Sequence, residues 1–348
     1  MESPVVSVSR TNNLLMNKKV LISLNKKKLF LCRSIGFERK FSGNIIFNTS
    51  NTGYVESLTD PSYLNQIVVF SSINIGNAGF CIKDIESCRF FLSGIIISNI
   101  STFFSNKSSN FSLLNILKKK RIIVLECKNI KEITKEIKKK SICNIKIFFK
   151  KKKYKNKKIS NKSYLFSNSL KNKFKKKIIF LDFGAKLSIL KELEKRNFFI
   201  ISITGKKKIT KFNPDGIVLS NGPGNPIDYV NKIKEIKKYL GNIPILGICL
   251  GHQIISFFLG LNIRRMKKGH HSINHPVKFL NNFFITSQNH NFSVVNNKYK
   301  NQPFSLIDGS NQGIILKKKR IITVQGHPES SPGPKCFSYV FDLFSSFF

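Results

Sequence analysis

The chain has 348 residues, 41% of them apolar, which is enough for the cores of two ordinary domains and excludes global disorder. Its formal charge of +42 first points to nucleic acid. The excess is mostly lysine, 51 against 9 arginines, and comes with abundant Asn and Ile, 32 Phe and no Trp. All the enriched types have A/T-rich codons, so base composition explains the charge better than a phosphate-binding surface with clustered Arg, Lys and aromatics.

From Val20 to about Phe148 the sequence reads as a β-rich module, with domain bounds at 18–148. Val20–Leu24 and Lys28–Cys32 are short strands around a basic turn, a hairpin by spacing. Gly43–Tyr54 and Glu56–Tyr63 are dense in small hydroxyl and amide residues bracketed by Gly and Pro, which predicts ordered polar loops. Gln66–Phe70 and Ile95–Ser98 read as further strands. Residues 149–177 are dominated by Lys and Asn, and so much like charge with so little to bury predicts a solvated linker.

Residues 178–348 alternate strand and helix. Strands are expected at Ile178–Gly184, Phe198–Ile203, Gly216–Ser220 and Ile243–Ile248, and helices at Ala185–Lys195 and Tyr229–Leu240. That alternation predicts an α/β domain whose mostly parallel sheet is covered by helices, with ligands gathered at the carboxyl ends of the strands. No run is apolar for long enough to span a bilayer. The N-terminal residues carry no hydrophobic core of a secretory signal. The seven cysteines are scattered, with no C-x-x-C pair, which argues against a disulfide framework or a metal site and for a reducing cytoplasm.

The most informative stretch is Pro244–Gln253. A short apolar run ends in Gly247-Ile248-Cys249-Leu250-Gly251, and Gln253–Leu259 is apolar enough for a packed helix. This is a cysteine version of the strand-to-helix nucleophile elbow. The turn puts the sulfur at a helix N-terminus, where unpaired N–H groups favour negative charge. All six histidines lie in the second domain. His327, in Gln325-Gly326-His327-Pro328-Glu329, follows an apolar strand and is placed to take the proton of Cys249, with Glu329 holding its other nitrogen. Leu219–Pro226 is a rigid loop whose backbone N–H groups can face an oxyanion.

Gly-Ile-Cys-Leu-Gly-His-Gln around Cys249, with Gly-His-Pro-Glu near the C-terminus, resembles the triad-type glutamine amidotransferases. More closely, Phe47–Tyr63, Ile75–Asn77, Asp182–Lys186, Gly269–His271, Gln288–His290 and Gln325–Pro334 resemble the small chains of glutamine-dependent carbamoyl-phosphate synthases. The resemblance implies a class I glutamine amidotransferase domain behind a β-rich N-terminal domain, with Cys249, His327 and Glu329 catalytic. It implies that L-glutamine is bound by Ser62, Gly222, Gly224, Leu250, Gln253, Asn289 and Phe292, with the N–H groups of Gly224 and Leu250 stabilising the oxyanion. It also implies a large-chain partner that uses ATP and Mg, no cofactor or metal in this chain, and a cytoplasmic location. The chain departs from the family's glycines at Ser272, Ile273 and Asn291, the last read as a residue that tolerates left-handed backbone. Two other readings stand beside this one: a non-catalytic subunit that stabilises the large chain, and a basic nucleic-acid-binding protein.

Overall fold

The computed structural model describes residues 18–348 apart from 74, 140–142, 150–175, 205–208 and 297. The linker expected over 149–177 therefore lies almost wholly outside the described residues.

The N-terminal strands are β1 (Lys18–Leu24), β2 (Lys28–Ser34), β3 (Phe41–Asn48), β4 (Ile67–Phe70), β5 (Gly94–Ile97), β6 (Ile123–Glu126) and β7 (Asn144–Phe148). They close into a barrel in the order β1-β2-β6-β5-β4-β3-β7. Strands β3, β4, β5 and β6 run parallel, whereas β1, β2 and β7 join antiparallel. Side chains alternate as the pleat requires. Val20, Ile22, Ile67 and Val69 point into the barrel with Ile133 and Ile137 of helix α3 (Ile130–Lys138). Val68, Phe70, Ile95 and Val124 instead meet helices α1 (Tyr54–Thr59) and α2 (Leu113–Lys119).

The polar loops expected over 43–63 are a correction, because β3 takes Phe41–Asn48 and α1 takes Tyr54–Thr59. Pairing with β4 and β7 and burial of Phe41, Ile45 and Tyr54 outweigh the loop-forming composition.

The second sheet contains β8 (Lys177–Leu181), β9 (Phe199–Ile203), β10 (Gly216–Leu219), β11 (Ile245–Ile248), β15 (Gly313–Leu316) and β16 (Ile321–Val324). Its order is β15-β16-β11-β10-β8-β9, all parallel except β15. Helices α4 (Leu187–Lys195) and α7 (Tyr339–Ser345) cover one face through Ile189, Leu193, Phe341 and Phe344. Helix α6 (Leu250–Phe258) covers the other through Leu250, Ile254 and Ile255. A long hairpin, β12 (Asn262–Phe279) with β13 (Asn282–Val295), is joined by β14 (Phe304–Ser305) and forms a separate three-stranded sheet.

The single helix expected over Tyr229–Leu240 is also a correction. A short α5 (Ile227–Val230) gives way to a 3₁₀ segment at Lys234–Lys238. Val230, Ile233 and Ile236 are buried at a strict spacing of three, the repeat of a 3₁₀ turn, and the backbone bonds run i to i+3.

The β11–α6 turn is set by two close approaches. A Cβ at Gly247 would lie 2.8 Å from Gly251 O, and one at Gly251 would lie 2.3 Å from Leu219 O. Gly251→Ala should therefore force β10 and α6 apart and cost about 1–3 kcal/mol. Urea unfolding would show this as a lower midpoint, and an unchanged midpoint would mean that the turn gives way freely.

Candidate active site

Between those glycines Cys249 has φ 53° and ψ −99°, a conformation that other residues seldom adopt. It is held there by its N–H donating to Val324 O at 2.8 Å, while Gly251 N–H donates to Ser220 O at 3.1 Å. Cys249 is buried, its sulfur 3.9 Å from Asn289 O and 3.7 Å from Gln325 Nε2. Leu250 opens α6, where backbone N–H groups have no acceptor within the helix.

His327 follows β16, and its N–H donates to Ser287 O at 2.9 Å. Its Nδ1 meets Glu329 Oε1 at 2.6 Å, and both side chains are fully buried. Burial opposes the charged imidazole and Lys186 adds to that, but Glu329 and Cys249 outweigh both and raise it to about 9. Burial likewise opposes the Glu329 carboxylate, yet Lys186 and His327 hold it down at about 2.

The other candidate histidines each engage Nδ1 away from the sulfur. His252 is fully buried, with Nδ1 2.8 Å from Thr323 Oγ1, and burial lowers it to about 3. His290 Nδ1 contacts Phe292 O at 2.8 Å, and burial together with neighbouring histidines keeps it well below its ordinary value.

A cavity of about 260 Å³ opens beside the sulfur. Ser62, Gly222, Gly224, Leu250, Gln253, Asn289 and Phe292 all line it together with Cys249. The site thus joins both halves of the chain. The Asp60 carboxyl and carbonyl groups shape the 3₁₀ turn at Pro61–Tyr63, Ser62 N–H donating to Asp60 Oδ1 at 2.8 Å and Tyr63 N–H to Asp60 O at 3.2 Å. Ser62 Oγ accepts from Asn221 Nδ2 at 3.0 Å. Gln253 Nε2 donates to Phe292 O and to Gln325 Oε1, both at 3.0 Å, which ties the wall of the cavity to α6. Gly224 has φ 99°, open to glycine and strained for other residues.

Asn291 corrects an expectation. It lies in extended strand β13, without the left-handed φ anticipated for it, opposite a bulge of β12 between Arg265 and His270. Its Oδ1 is 3.1 Å from His271 Nε2, and Asn289 Oδ1 is 2.9 Å from His271 Nδ1. Ser272 and Ile273 also continue β12, and Ser272 Oγ accepts from Asn274 N–H at 3.1 Å.

Sequence reasoning assigned no role to Lys186, although it belongs to the Asp182–Lys186 motif. Its Nζ donates to Glu329 Oε1 and to Ser331 O, both at 2.9 Å, and its side chain is 3% exposed. Burial works against its charge, but the carboxylates of Glu329, Asp60 and Glu86 raise it well above its ordinary value. Asp60 and Glu86 come from the barrel half, and Glu86 also accepts from Ser188 N–H and Oγ. Lys186 is the charge that lets these carboxylates be buried together.

Lys186→Met should therefore cost about 3–5 kcal/mol, the usual consequence of stranding a buried charge. The pH dependence follows from the sign of the Glu329 shift. A carboxylate held near 2 contributes stability that is complete above its ordinary 4.5 and is lost as pH falls toward 2. Without Lys186 that loss should begin at higher pH. Urea titrations across pH 3–7 would show it, and superimposable curves would mean that Lys186 is not the compensating charge.

Residues 22–147 match the family described as carbamoyl-phosphate synthase small chain, CPSase domain, and residues 179–347 match glutamine amidotransferase class-I. A carbamoyl phosphate synthase small chain from Buchnera aphidicola subsp. Baizongia pistaciae (strain Bp) is 41% identical, across 91% of this chain and 90% of its own length. The chain belongs to the carbamoyl phosphate synthase small chain family. Small chains from Wigglesworthia glossinidia brevipalpis and Bacillus cereus (strain ATCC 14579) are 39% and 36% identical, over 95% and 90% of this chain and 96% and 90% of their own. Among the described residues no helix is long and apolar enough to cross a membrane, and no group of three or more His, Cys, Asp or Glu side chains is arranged to hold a metal ion.

Proposed function

We propose that this chain is the glutaminase subunit of a carbamoyl-phosphate synthase, which hydrolyses L-glutamine through a thioester on Cys249 and passes ammonia to a large chain. One observation carries this reading: Cys249 lies at a cavity lined by all seven expected glutamine-binding residues, and His327 and Glu329 form a buried pair whose imidazolium is favoured by both Glu329 and Cys249.

In the first half-reaction the sulfur attacks the side-chain amide carbon. His327 takes the thiol proton, and Glu329 stabilises the resulting imidazolium. The N–H groups of Leu250 and Gly224 receive the oxyanion. The C–S bond forms, the C–N bond breaks, and the proton leaves with ammonia. Water then attacks the thioester, His327 takes its proton and returns it to sulfur, and glutamate departs. The ATP- and Mg-dependent steps, which supply carbamoyl phosphate for arginine and pyrimidine biosynthesis, belong to the large chain in the cytoplasm. No cofactor is assigned to this chain.

The test is to purify the chain with its large chain and supply glutamine, bicarbonate and ATP. Glutamate and carbamoyl phosphate should form together, and acid-quenched protein should carry a glutamyl adduct on Cys249 by mass spectrometry. A complex that uses ammonia but yields neither glutamate nor adduct would establish the non-catalytic alternative instead.

A further inference from the structure

We infer that Cys32 and Cys127 are a paired modification site, at which a hydroperoxide oxidises the two thiols to a disulfide that ties strand β2 to strand β6 across a seam of the barrel. At this seam the antiparallel hairpin β1–β2 meets the parallel run of strands. Its ladder is short, with Arg33 opposite Glu126 and Ser34 opposite Leu125.

The same register, continued by one residue, puts Cys32 opposite Cys127. The hydrogen bonds decide what kind of pair they make. Ile35 N–H donates to Val124 O and Phe37 N–H to Ile122 O, both at 3.0 Å, and bonded and non-bonded pairs alternate from there. Ile123 and Cys127 turn their N–H groups the other way, to Ser93 O at 3.3 Å and Ile97 O at 2.9 Å. Cys32 and Cys127 are therefore a non-hydrogen-bonded pair, the kind whose Cα atoms stand about 4.5 Å apart. That falls within the span of roughly 4.4–6.8 Å that a disulfide bridges without moving the backbone. Both side chains point into the barrel core, 4% and 2% exposed. Cys143, a third cysteine of that core, precedes β7, which β1 separates from β2.

The two thiols hydrogen-bond to each other, which lowers Cys127 below the ordinary thiol value and, together with burial, raises Cys32 above it. Cys127 is thus the attacking thiolate and Cys32 the thiol that resolves it. Cys127 lies just past the end of β6, beside exposed Lys128, where a peroxide little larger than water enters as the strand end frays. The Cys127 sulfur attacks one peroxide oxygen, the O–O bond breaks, and the hydroxide released takes up the proton that Cys127 gave up. Cys127 is then a sulfenic acid. The Cys32 sulfur attacks it, the S–S bond forms, the S–O bond breaks, and the oxygen leaves as water with the Cys32 proton. Two thiols lose two electrons and two protons, and the peroxide is reduced to two waters.

The test is to treat the full chain, in complex with its large chain, with hydrogen peroxide, alkylate the remaining thiols and map the peptides by mass spectrometry without reduction. A Cys32–Cys127 linked peptide should form, and dithiothreitol should reverse it. Because a link between distant segments restricts the unfolded chain, the thermal midpoint of this chain should rise by at least about 5 °C on oxidation and return on reduction. Cys32→Ala should stop Cys127 at the sulfenic acid, trapped by dimedone, and remove the rise. Cys127→Ala should leave Cys32 unoxidised. The linked peptide in the unaltered chain is decisive even if either variant fails to fold. Its absence once the exposed Cys88 and Cys336 are fully oxidised would overturn the inference, and so would Cys127 linked to Cys143 instead. A linked peptide with an unchanged midpoint would overturn the tie across the seam.

Discussion

Cys249→Ser is expected to abolish glutamine-dependent synthesis by the complex, at least ~1000-fold, while synthesis from added ammonia stays close to that of the unaltered complex. The hydroxyl fits the same strained turn, so the fold and its contact with the large chain should persist. It is a far weaker nucleophile than the sulfur beside His327. Because this chain is proposed to supply only ammonia, bypassing it with ammonium salt removes the need for the sulfur. Parallel assays with glutamine and with ammonium chloride decide the matter. Equal loss of both activities would mean that Cys249 supports the complex as a whole.

For His327→Asn the expected loss of glutamine turnover is again on the order of a thousandfold or more, since members of a triad act as a unit. Asparagine can still reach toward Glu329 but cannot shuttle a proton. Of the other candidates, His252 meets Thr323 and His290 the carbonyl of Phe292, each through Nδ1, and burial lowers the pKa of both. The raised pKa of His327 adds a pH signature. The imidazolium that protonates the leaving group is present below about 9, so turnover by the unaltered complex should fall as pH rises through that value. The asparagine variant's residual rate should lack this limb. Near-normal turnover in the variant would move the base to another histidine.

What the sequence determines by itself is what chain-local physics can encode. The parallel sheet shows in short apolar runs such as Ile178–Leu181 and Ile245–Ile248, because strands buried on both faces need no polar alternation. The elbow shows in Gly247 and Gly251, because a turn that brings α6 against Leu219 O excludes side chains at both positions. His327 and Glu329 are two residues apart and meet on one strand end. Where local and global preferences conflict, the local signal misleads. Polar Ser42–Asn44 belong to strand β3 because both of its edges are paired, and Lys234–Lys238 winds as 3₁₀ where buried Val230, Ile233 and Ile236 recur every third position.

Contacts between distant segments were decided only by the tertiary structure. Lys186 and Glu329 are 143 positions apart, and Asn221 reaches Ser62 across 159. No periodicity or motif spacing carries such pairings. They follow from seating the barrel against the carboxyl ends of the parallel strands. That arrangement buries Asp60 and Glu86 beside the ammonium of Lys186, so the carboxylate behind His327 keeps its charge without water. It also brings Ser62 from one half and Asn289 from the other to the single cavity beside Cys249, residues that the chain holds far apart in sequence.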